Sequence, residues 1–164
     1  MRSFILTGLL AVLINAAPAH AARIGDSAPA FDLATADGRS VSLDSLRGNV
    51  VYVDFWASWC VPCKQSFPWM NALQDRHRGE RFAIVAINVD KHRPDAERFL
   101  RDVPATFPVV LDSAGATPAA FDVKGMPSSY LIDRNGKVVA IEEGFHDDRV
   151  AAIEAQIRAL LATR

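Results

Sequence analysis

Cys60 and Cys63 constrain this chain more than any other feature. They close an apolar run, Val50-Val51-Tyr52-Val53-Asp54-Phe55, and open a stretch with helical spacing. A short run rich in β-branched and aromatic residues reads as a buried central strand. Downstream, Met70 and Leu73 fall on one helical face with Cys63 and Ser66, and Gly79 marks a stop. The spacing predicts a helix from about Val61 to His77. The cysteine pair therefore belongs at a strand-to-helix junction. Pro68 lies inside the predicted helix, where it removes a backbone donor and crowds the preceding turn, so a kink is expected.

The rest of the chain is arranged around that junction. Residues 23 to 29 read as an irregular lead-in. Phe31–Thr35 and Ser40–Leu43 flank Asp37-Gly38, a hairpin signal. Leu43–Leu46 suggests a helical turn that Gly48-Asn49 ends. Phe82–Val89 reads as a second buried strand, Pro94–Arg101 as a helix, Val109–Leu111 as a short strand and Ala116–Phe121 as a short helix. Ser129–Asp133 and Lys137–Glu142 are strands joined by Arg134-Asn135-Gly136, where Asn-Gly predicts a tight hairpin. Asp147–Leu161 is amphipathic and helical, with Val150, Ile153, Ile157, Leu160 and Leu161 on its apolar side. Strand, helix, strand, helix, hairpin and helix in that order give an α/β fold: a mixed sheet covered by helices, parallel where a βαβ unit builds it. At 164 residues, half of them hydrophobic, the chain suits one domain with a real core.

Residues 1–21 read as a targeting segment rather than as fold. Arg2 supplies a positive start, Phe4–Ile14 is an apolar run broken only by Thr7 and Gly8, and Ala19-His20-Ala21 fits a small-x-small cleavage site. The run is short against the ~20 residues of a bilayer span, so a cleaved secretory signal peptide is expected, with residues 22–164 as the mature domain. An uncleaved membrane anchor is the alternative. No cysteine lies near the cleavage site to carry a lipid. Export places the protein in the periplasm or another extracytoplasmic space. A formal net charge of −1 gives no basis for binding nucleic acid.

An exported chain meets an oxidising compartment. A structural disulfide gains from closing a long loop, and one spanning two residues closes almost none. A zinc site needs four ligands, and the chain has two cysteines. Redox chemistry explains the pair better. At the first turn of a helix, free N–H groups and the helix dipole favour a thiolate on Cys60, and the thiolate is the nucleophile. Cys60 is therefore expected as the exposed nucleophile, and Cys63 lies one turn on, within reach of a mixed disulfide formed at Cys60. Asp54 stands alone in the apolar strand. A carboxylate there is expensive to bury, and its pKa should rise.

These residues carry a family resemblance. Val51-Tyr52-Val53-Asp54-Phe55-Trp56-Ala57-Ser58-Trp59-Cys60-Val61-Pro62-Cys63-Lys64 resembles the active-site segment of thioredoxins. The lead-in and Gly125-Met126-Pro127-Ser128-Ser129-Tyr130-Leu131-Ile132-Asp133 resemble the exported TlpA-like or ResA-like branch. The resemblance covers roughly residues 24–161. It implies a thioredoxin fold, a central mixed β-sheet flanked by helices, with an N-terminal β-hairpin extension. It implies a thiol–disulfide oxidoreductase, favouring protein-disulfide reduction, with no organic cofactor and no metal. Its partners would be a disulfide-containing exported protein and a membrane-embedded electron donor, and the chain would be a monomer.

The same resemblance gives Asp54 the role of assisting proton removal from Cys63. It makes Pro127 a cis proline facing the cysteines, against the ~5% of X–Pro bonds that are cis in folded proteins. With Met126, Trp59 and Pro62 it would line the substrate groove, where an extended segment pairs with backbone. Two departures stand out. Ser66 occupies the position where members serving cytochrome c maturation commonly carry a glutamate. Ala86 replaces the lysine that accompanies the buried aspartate of thioredoxins, so the pKa of Asp54 should be higher still. A non-catalytic binding module and a copper-handling chaperone are the competing readings. His77, His92 and His146 show no ligand-pair spacing.

Overall fold

The computed structural model describes residues 22–163. The expected signal peptide, residues 1–21, lies outside them. Strands β1 (Asp32–Ala34) and β2 (Ser40–Ser42) form a small hairpin. A 3-10 turn at Asp44–Leu46 leads to β3 (Val50–Trp56). Then follow α1 (Val61–Arg76), β4 (Phe82–Asn88), α2 (Arg93–Asp102), β5 (Val109–Leu111), α3 (Ala116–Phe121), β6 (Ser128–Ile132), β7 (Val138–Glu143) and α4 (Asp147–Ala162). Five strands make the main sheet in the order β5-β4-β3-β6-β7. β3 pairs parallel with β4, and β4 with β5, through the helical crossovers. β6 and β7 are antiparallel. This is the mixed sheet expected from the alternation of elements.

Every residue of β3 is buried, as a central strand covered on both faces requires. Residues 50, 52, 54 and 56 point to one face, where Tyr52 and Trp56 meet Cys63, Phe67, Met70 and Leu73 of α1, Phe99 of α2 and Ile153 and Ile157 of α4. Trp56 lies 5.0 Å from Phe67 and 4.6 Å from Phe99, ring centre to ring centre. That aromatic cluster fixes the start of α1 against the sheet. Val51, Val53 and Phe55 point to the other face, covered by Phe31 and Leu43 of the N-terminal extension and Phe121 of α3.

The extension runs across the sheet. Ser27 bridges to Lys137 beside β7, and Thr35, at the end of β1, bridges to Val110 on edge strand β5. It thereby covers a face that would otherwise expose apolar side chains. Both predicted hairpins form. Only the glycines take positive φ, +83° at Gly38 and +79° at Gly136, while Asp37 and Asn135 do not. Each loop is a four-residue turn closed by one left-handed glycine, with Gly38 N–H donating to Thr35 O and Gly136 N–H to Asp133 O. Pro68 sits inside an α1 that runs on to Arg76.

Candidate active site

Cys60 and Cys63 are joined as a disulfide. Cys60 is the N-cap of α1, with extended backbone at φ −81° and ψ 105°, and its Sγ accepts the Cys63 N–H at 3.2 Å. A sulfur in that place receives one of the helix's unpaired N–H groups and the positive end of its dipole, which favour negative charge there. Pro62, in the first helical turn, has no N–H to leave unpaired. Cys63 is fully buried. Cys60 was expected to be exposed, but only 3% of its surface is accessible. The exposed groups are its neighbours: Trp59 is 68% and Val61 69% accessible, so an apolar rim surrounds a recessed disulfide.

The loop that presents Cys60 is held by a network absent from the sequence reading. Asp90, just beyond β4, accepts hydrogen bonds from Ser58 N–H at 2.9 Å, Ser58 Oγ at 3.0 Å and Asn88 Nδ2 at 2.8 Å. Asp90 is buried and its carboxylate is well served. The signal for it was topological: parallel neighbours β3 and β4 end on the same side of the sheet, so a polar pair closing β4 lies beside the loop that closes β3.

Asp54 is 2% exposed. In the sheet it stands between Ala86 of β4 and Ser129 of β6, and its side chain shares the face of Tyr52, Trp56 and α1. Its Oδ2 is buried without a hydrogen-bond partner. Burial pushes its carboxyl well above the usual carboxylate range, as expected for an acid with alanine where a cation could sit. Burial also pushes up the Tyr52 phenol, and the neighbouring Asp54 adds to it.

The Met126–Pro127 peptide bond is cis. Met126 packs against both apolar clusters, one of which contains both cysteines. Pro127 O accepts the Gly144 N–H at 2.8 Å, and Ser128 Oγ donates to Gly125 O. No backbone hydrogen bond engages Met126 among the described residues. Beside Trp59 a recess of about 160 Å³ is lined by Ser58, Lys64, Arg98 and Phe99, among others. Ser66 is buried and donates to Cys63 O at 3.2 Å, so it faces the core side of α1. His146 folds over Gly144, next to the Pro127 loop, and Phe145 packs on Trp69. Among the described residues no three His, Cys, Asp or Glu side chains gather as a metal cluster, and no helix is long and apolar enough to cross a membrane.

Known proteins resemble this chain in sequence and fold. The family model described as Redoxin matches residues 23–157. The thiol-disulfide oxidoreductase ResA of Bacillus subtilis is 37% identical over 153 residues, covering 87% of this chain and 86% of its own. The protein of the same name from Geobacillus thermodenitrificans is 36% identical, covering 88% and 86%. Among solved structures, a proposed thiol:disulfide interchange protein DsbE from Chlorobium tepidum is 49% identical, with a TM-score of 0.83 over 87% of this chain and all of that one. The thioredoxin domain of a thiol-disulfide oxidoreductase from Bacteroides vulgatus is 27% identical, with a TM-score of 0.74 over 82% and 98%.

Proposed function

Because this chain belongs to the redoxin family and is a thiol–disulfide oxidoreductase of thioredoxin fold, we propose that it is an exported protein-disulfide reductase working through Cys60 and Cys63. The observation that carries the assignment of roles is the helix cap. Cys60 Sγ receives the Cys63 N–H at the positive end of α1, so Cys60 is the thiolate that attacks. Cys63, one turn deeper and without surface, is the resolving thiol.

In the reductive direction the dithiol form begins the cycle. Cys60 thiolate attacks one sulfur of the substrate disulfide. A Cys60–substrate disulfide forms and the other substrate sulfur leaves as a thiolate. Asp54, on the face of β3 that carries α1, takes the proton of Cys63. Cys63 thiolate then attacks Cys60 Sγ, the intramolecular disulfide forms and the second substrate thiolate leaves. Two electrons have passed to the substrate. A membrane-embedded donor of two electrons and two protons restores the dithiol. The disulfide is the only redox group required, and no organic cofactor or metal takes part.

Trp59, Pro62, Met126 and Pro127 form the groove for a disulfide-containing exported protein. The exposed Trp59 rim and the unengaged backbone of Met126 support this, since an extended segment needs free backbone groups to pair with. The chain acts as a monomer, after loss of residues 1–21, in the periplasm or an equivalent space. The reductive direction rests on the likeness of the Cys60 segment to thioredoxins. The equilibrium potential of the Cys60–Cys63 couple against glutathione tests it. A value near ~−270 mV supports a reductase, and one near ~−120 mV assigns an oxidant instead.

A further inference from the structure

The buried acid on the face of β3 that packs against α1 pairs with no cation among the described residues. Residues paired across a sheet share a face, so Asp54 has Ala86 on one side and Ser129 on the other. Ser129 is 4% exposed, and so is Tyr52, whose hydroxyl donates to Ser129 Oγ at 2.7 Å. A serine hydroxyl offers one donor and two acceptor sites. Tyr52 fills an acceptor site, and the donor of Ser129 finds no acceptor among the described residues. An unspent O–H and an unpartnered carboxyl oxygen thus lie on adjacent strands, on one buried face.

We propose that Ser129, oriented by Tyr52, is the positioning residue for Asp54: its hydroxyl turns onto the Asp54 carboxylate as that group ionises, in the place a cation would take. This rests on the reading of Asp54 as proton acceptor for Cys63. A hydrogen bond to the charged form favours that form. It would let Asp54 reach the ionised state it needs before it can take the Cys63 proton. The other groups facing the site do not do this. Ala86 of β4 has no polar group. Cys63 of α1 is the proton donor. Glu142 of β7, next beyond Ser129, is a like charge held by Arg149 of α4 at 2.7 Å. Trp56 Nε1 is also buried and unpartnered, but Trp56 stands two residues along β3, whereas Ser129 is the residue directly opposite Asp54.

The test is a carboxyl-carbon NMR titration of Asp54 in the dithiol protein, with the pH dependence of disulfide reduction measured alongside. Loss of a hydrogen bond to a charged group should raise the Asp54 midpoint in Ser129→Ala by about one pH unit and move the rate profile with it. Tyr52→Phe should shift it the same way by less. Ser129→Thr, which keeps the hydroxyl, should restore the parent midpoint. An unchanged Asp54 midpoint in folded Ser129→Ala overturns the proposal. A rate profile in Asp54→Asn identical to the parent's overturns the proton-acceptor reading beneath it, whatever the Ser129 titrations show.

Discussion

Replacing Asp54 with asparagine should make the protein more stable and less active, and the gain should depend on pH in a defined way. Burial raises the carboxyl's pKa in the folded chain, while in the unfolded chain it titrates near ~3.9. The stability this group contributes is therefore fully present below the unfolded value. It is lost as pH rises from there to the folded value, because only the unfolded chain releases the proton. Asparagine has no proton to release. The variant and the parent should be nearly equal below pH ~4 and diverge above it by about 1.4 kcal/mol per pH unit until the folded carboxyl itself ionises. Urea unfolding of the disulfide form at a series of pH values measures this, with the slope against urea held common to both proteins. Stability curves that stay parallel from about pH 4 to pH 8 would show that Asp54 ionises as freely when folded as when unfolded, and would refute the argument from burial. On the proposed mechanism the same substitution should also slow the resolving step, since it removes the proton acceptor assigned to Cys63.

Other contacts lead to further outcomes. Asp90→Ala removes the acceptor of Ser58 N–H, Ser58 Oγ and Asn88 Nδ2 and leaves buried donors unpaired, so urea unfolding should show a loss of about 1–3 kcal/mol, with slower disulfide exchange from a looser Cys60 loop. Phe67→Ala opens a cavity among Trp56, Phe99 and Phe107 and should cost about 3–5 kcal/mol, read from the urea midpoint.

Much of this architecture was legible because local signals and burial agree. The run Val50–Phe55 reads as a covered strand and forms one, and Cys63, Ser66, Met70 and Leu73 at helical spacing are among the residues that α1 buries. Asp54 announced itself as an acid in an apolar strand. Ala86 falls opposite it, as the resemblance placed it. What stayed hidden depends on the third dimension. Asp90 lies thirty residues from Cys60, and only the parallel pairing of β3 and β4 brings it under the active-site loop. The Tyr52–Ser129 bond spans β3 and β6, whose antiparallel register no local pattern encodes. The recession of Cys60 was missed because a cap position favours charge without requiring exposure; Trp59 and Val61 take up the surface around it.

The central claim is that Cys60 attacks and Cys63 resolves. The most direct measurement is trapping of a mixed disulfide with a model peptide disulfide, using the two single-cysteine variants at neutral pH. Cys63→Ser should accumulate a covalent adduct at Cys60, because attack proceeds and resolution cannot. Cys60→Ser should form little or none, because Cys63 is fully buried. Equal trapping by both variants, or trapping by Cys63 alone, would contradict the account.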